Sequence, residues 1–107
     1  MRICDFILTY TFEEDELRED FKDFIETHKN WEVQNIDQST YCISCNDTEK
    51  MMREIIQGEI KRICHYYKIW NLSRYDEAYL ICSMKRHKTI STLPERMFKT
   101  DLLSVDL

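Results

Sequence analysis

Residues 6–16 read FILTYTFEEDE, and their interpretation decides the fold. The first half alternates. Phe6, Leu8 and Tyr10 fall on one face, continued by Phe12, while Ile7, Thr9 and Thr11 fall on the other. Extended back to Ile3, the segment 3–12 is rich in aromatic and β-branched residues, which suit a pleated surface. It carries one charge, Asp5, so the spacing predicts a central strand with protein on both edges. The second half changes period. Over residues 13–28, Leu17, Phe21, Phe24, Ile25 and His28 recur at helical steps and form one apolar stripe. Glu13, Glu14, Asp15 and Glu16 fill the predicted first turn, where the helix dipole favours negative charge. Thr11 and Glu14 have the spacing of a capping box.

Working outward, residues 31–37 (WEVQNID) and 39–45 (STYCISC) read as two strands of a hairpin. The chain has one Gly and one Pro, so Asn, Asp and Ser must make most of its turns. Residues 47–69 are the clearest helix. Met52, Ile56, Ile60, Ile63 and Tyr67 share a face, and Asn46 or Asp47 is placed to cap it. Gly58 inside that helix costs about 1 kcal/mol relative to Ala, which suggests close approach of another backbone. Residues 77–84 (EAYLICSM) form a further strand. The segment beyond begins KRHK, and a short helix is expected near Pro94 and Glu95. Leu93, Met97, Phe98, Leu102 and Leu103 are too apolar for a free tail.

The element order β-α-β-β-α-β predicts an α+β, ferredoxin-like domain over residues 1–88, with a four-stranded antiparallel sheet and two helices on one face. Residues 89–107 form a C-terminal extension, expected to pack on the domain or on a dimer partner. The helix-free sheet face would carry Ile7, Thr9, Thr40 and Ile81, so a homodimer formed by stacking sheets is expected.

The composition suits a globular chain. Of 107 residues, 43% are hydrophobic and 12% aromatic, and no apolar run approaches the ~18 residues of a membrane span. Asp5 interrupts any apolar leader, so a cytoplasmic protein is expected. Five cysteines, an odd number, are read as buried reduced thiols; Cys42-x-x-Cys45 lacks the second pair a zinc site needs. The net charge of −5 is uneven. Residues 1–49 hold 4 Lys/Arg against 13 Asp/Glu, and residues 50–107 hold 11 against 7. That asymmetry suggests a basic surface for a polyanion, or two opposite faces that meet.

FILTYTF before an acidic helix, QSTYCISC, TEKMMREIIQGEI and YDEAYLICSM together resemble the small CRISPR-associated endonuclease-type and VapD-like superfamily, over roughly residues 3–88. The resemblance implies a dimer of ferredoxin-like subunits whose first strand ends Tyr-Asp, with the Asp helping to hold a Mg or Mn ion for phosphodiester cleavage. Tyr10 matches the tyrosine. Thr11 stands where the resemblance puts the Asp, and a neutral hydroxyl replaces a carboxylate poorly as a ligand for a divalent cation. No catalytic residue, metal site or cofactor is therefore assigned. The expected function is a non-catalytic scaffold that binds nucleic acid or protein. The alternatives are a metal-dependent endonuclease or endoribonuclease with other ligands, which would use Mg or Mn, and a phage- or plasmid-borne protein-binding inhibitor. Lys61, Arg62, Lys85, Arg86, His87 and Lys88 are the candidate nucleic-acid-binding residues.

Overall fold

In the computed structural model, residues 5–83 and 98–107 are described, with backbone alone for 98–101. The chain runs β1 (Phe6–Thr11), α1 (Asp15–Thr27), β2 (Glu32–Asp37), β3 (Thr40–Ser44), α2 (Glu49–Tyr66), β4 (Glu77–Ser83) and β5 (Phe98–Leu102). The first six elements reproduce the predicted β-α-β-β-α-β order, and the sheet runs β2-β3-β1-β4-β5 with every neighbour antiparallel. This is the expected ferredoxin-like α+β fold, enlarged by one strand. β1 is central as its uncharged faces require, with Phe6 opposite Ile43 on one side and Cys82 on the other.

The alternation seen in the sequence sorts the two faces. Phe6, Leu8, Tyr10, Tyr41, Ile43, Ala78, Leu80 and Cys82 are buried under the helices. Leu17, Phe21 and Ile25 from α1 close on them, with Met52, Ile56, Ile60 and Ile63 from α2. Each such side chain contributes about 1.5–3 kcal/mol of hydrophobic stabilisation. The opposite face bears Ile7, Thr9, Thr40, Cys42, Tyr79 and Ile81, all half-buried. Neither helix lies on it, and the hydroxyls of Thr9 and Thr40 meet at 3.1 Å.

The C-terminal region departs from expectation. The helix foreseen near Pro94 and Glu95 falls, as far as Met97, outside the described residues. From Phe98 to Leu102 the chain is a strand paired with β4. Leu103 then turns into this chain's own core, 5% exposed, its amide donating to the Ala78 carbonyl at 2.8 Å. Gln57 of α2 donates to the Ser104 carbonyl at 3.0 Å, and Val105 and Leu107 pack against the core.

The helix ends differ in detail as well. Thr11 is the exposed last residue of β1 and caps nothing; Glu14 is the N-cap of α1 and makes no side-chain cap. On α2 the cap is Thr48, whose hydroxyl accepts from the Met51 amide at 3.2 Å, while Asp47 accepts from the Trp31 indole at 3.0 Å. Gly58 meets nothing within 4 Å of where a Cβ would sit, so no backbone approaches it.

The cysteines divide. Cys45, Cys64 and Cys82 are buried free thiols, and burial pushes the Cys64 thiol up. Cys42 is disulfide-bonded, against the expectation of reduced thiols. Cys45, a free thiol, is not its partner. Cys45 instead packs its sulfur against that of Met52 at 3.6 Å.

Candidate functional site

The junction that the resemblance singles out lies where β1 ends. Thr11 pairs with Glu77 across β1 and β4. Tyr10, Thr11, Phe12, Arg18, Gln38 and Ser39 line an open depression of about 390 Å³ between α1 and the β2–β3 turn. The one charged group in that lining is the Arg18 guanidinium. It donates to the Phe12 carbonyl at 2.8 Å and pairs with Asp15. A hydroxyl beside a fixed guanidinium is the wrong donor set for Mg or Mn, which demand carboxylate or other anionic oxygen. Among the described residues, no group of three or more His, Cys, Asp and Glu could hold a metal ion. These residues do not fit the ion that the resemblance implies.

Tyr10 belongs to the interior. Its ring meets Phe21 edge-on at 4.9 Å, and stacks at 5.2 Å from Phe12 and 6.5 Å from Tyr41. Tyr41 donates to Glu26 at 2.7 Å. Burial raises the phenol of Tyr10 above its ordinary value, and Tyr41 beside it acts in the opposite sense. Tyr41 is raised further, by burial first and then by donating to Glu26. Both are neutral, well-packed core phenols rather than acids poised for proton transfer. His28 stacks on Trp31 at 4.0 Å and meets Phe24 edge-on, so it extends the same aromatic cluster.

The predicted cationic residues fare unequally. Lys61 and Arg62 sit, exposed, near the C-terminal end of α2. Lys85, Arg86, His87 and Lys88 lie outside the described residues. Arg62 is held by Glu59 through its Nε at 3.0 and 3.1 Å and through an Nη pairing. Lys61 and Lys68 have no ion pair among the described residues. Two carboxylates share this region: Asp20 accepts from the Tyr67 hydroxyl at 2.8 Å, and Asp76 from the amides of Glu13 and Ser73. Glu77 is the exposed carboxylate that follows.

The structure adds what the prediction missed. Tyr66, Trp70 and Tyr75 are 72%, 59% and 57% exposed, the first at the end of α2 and the others in its connection to β4. Each is braced by a neighbour: Tyr66 by Tyr67 at 4.9 Å, Trp70 by His65 at 5.6 Å, and Tyr75 by the Arg74 guanidinium at 5.0 Å from its ring centre. The signal was present in the sequence. Residues 61–75, KRICHYYKIWNLSRY, contain four Lys/Arg, one His and four aromatic rings without a single acid.

The end of α2 is built to hold that shape. Tyr67 is the C-cap and Lys68 takes a left-handed backbone at φ 60°. The Ile69 amide donates to the Cys64 carbonyl at 2.7 Å, and the Lys68 amide to His65 at 3.3 Å. This paired closure is a Schellman motif with lysine where glycine is usual. Ile69 packs against the core and ties the connection down. A second depression, of about 260 Å³ along Glu49, Lys50, Arg53, Glu54 and Gln57, lies on a mixed-charge flank of α2.

Against this geometry, no protein-family model, curated protein or solved structure gives a significant match to the chain. No helix among the described residues is long and apolar enough to cross a membrane.

Proposed function

We propose that this chain is a non-catalytic, nucleic-acid-binding scaffold of ferredoxin-like subunits, related to the CRISPR-associated and VapD-like proteins but without their metal chemistry. The observation that carries the binding role is the end of α2. Lys61, Lys68 and Arg74 fall within a fifteen-residue run, 61–75, that has no acid, with His65 among them, while Arg62 is paired with Glu59. That run carries four Lys/Arg in a chain of net charge −5. A polyanion gains from such a cluster by releasing its condensed counterions. Thr11 beside Arg18, where the resemblance implies a metal-binding Asp, is what supports the non-catalytic reading.

Homodimerisation through the helix-free sheet face is part of the same reading. Ile7, Tyr79, Ile81 and the Thr9–Thr40 pair offer an uncharged surface for it. Light scattering at working concentration measures the mass directly. A monomer, or a dimer indifferent to Ile81→Glu, removes the dimer from the proposal.

The binding role is tested by mobility shift with labelled RNA and DNA at low and moderate salt. Retardation that weakens with salt, and with Lys61→Glu or Lys85→Glu, is expected. Absence of any shift at low salt overturns it. Incubation with magnesium, manganese or chelator tests the catalytic side: no metal-dependent cleavage is expected, and chelator-sensitive cleavage by purified protein would restore the nuclease.

A further inference from the structure

The exposed rings beside the cationic cluster select among nucleic acids. Resting on the binding role proposed above, we infer that Tyr66, Trp70 and Tyr75 form a stacking platform for the unpaired bases of single-stranded nucleic acid. The charge tracks the phosphates and the rings take the bases.

Three observations support this. First, exposure on this scale leaves a large apolar ring in water, a cost that a soluble protein seldom concentrates in ten residues without a ligand to cover it. Second, each ring is held by one neighbour, His65, Tyr67 or Arg74, and not by the core. That contact orders part of the platform before binding, which favours affinity. Third, the charge that would attract the backbone sits within the same fifteen residues, 61–75. Aromatic faces interleaved with Lys and Arg are the physical requirement for binding single strands without reading sequence, because every base has a π-face. A duplex hides those faces in its stack, so it can use the charge and not the rings.

The two tryptophans make the test direct. Trp31 is 6% exposed and bonded to Asp47, whereas Trp70 is 59% exposed. Titration with a homopyrimidine single strand should quench the Trp70 emission and leave that of Trp31 nearly unchanged. Trp70→Ala should weaken single-strand binding roughly tenfold, the scale of one lost stacking contact, and Trp70→Phe should recover most of it. Duplex of the same length should bind more weakly and respond little to either change. If single and double strands bind alike and Trp70→Ala has no effect, the stacking platform is refuted while the electrostatic role of Lys61 and Lys85 stands. If neither form binds at low salt, both readings fall together.

Discussion

Two aromatic groups in this chain meet opposite fates. Around β1 and α1, Tyr10, Phe12, Phe21 and Tyr41 are 5% exposed or less, set edge-to-face or stacked. At the end of α2 and beyond it, Tyr66, Trp70 and Tyr75 stand in solvent. Residue type does not separate them, since both groups contain tyrosine and large rings. Position does. The first group lies on the inward phase of a strand and on the apolar stripe of a helix, where two layers close. The second lies on the last residue of a helix and in the connection after it, where no layer follows. An aromatic ring is thus a core element or a surface element according to what the backbone brings opposite it.

That contrast can be broken by substitution. Phe21→Ala should be the largest loss. It removes a fully buried ring that meets Tyr10 and Phe12 edge-on, at about 3–5 kcal/mol by denaturant unfolding. Trp70→Ala, in the same assay, should change stability by less than about 0.5 kcal/mol. A larger loss at Trp70 would make that ring part of the core and erase the distinction.

Alkaline pH sharpens it. Tyr10 and Tyr41 titrate above the ordinary tyrosine value when folded. The stability they contribute is complete below the ordinary value, about pH 10, and is lost as pH rises toward their folded values. The melting temperature should fall steeply above about pH 10. Tyr41→Phe should lower stability at neutral pH by about 1 kcal/mol, through loss of its bond to Glu26, and flatten that alkaline slope. An unchanged slope would mean that Tyr41 does not feel the burial seen here.

The smallest effects lie on α2. Gly58→Ala should stabilise by about 1 kcal/mol, since a methyl there meets open space and alanine is the better helix former. Lys68→Gly should stabilise by somewhat less, by relieving its left-handed backbone. Both would appear as higher denaturant midpoints with unchanged slope.

Much of this architecture was legible in the sequence. The alternation of Phe6, Leu8 and Tyr10 and the stripe from Met52 to Tyr67 are local patterns, and local patterns survive into the fold. β5 was not legible. Its pairing is decided by the open edge of β4, about twenty residues earlier, whereas Pro94 and Glu95 give a local helix-start signal. Gly58 misled for a related reason: sequence shows the missing side chain but not whether anything fills its place. The capping box failed because Thr11 stays in the strand, leaving Glu14 as the N-cap. At the candidate site, the neutral hydroxyl of Thr11 at the end of β1 could be read directly. Of the platform, Tyr66 could be read as lying off the Met52–Tyr67 face, but Trp70 and Tyr75 fall past the helix, where no periodicity separates an exposed ring from a packed one.

The fifth strand has a consequence for assembly. By lying along β4 it leaves β2 and β5 as the outermost strands of the sheet. β2 is a poor template for a foreign strand. It is short, begins with Glu32, ends with Asp37, and its register with β3 shifts between Asn35 and Asp37. Irregular, charged borders of this kind discourage ribbon-like growth from molecule to molecule. The hydrogen-bonding rim of this protein is therefore poorly suited to recruiting another chain on the β2 side.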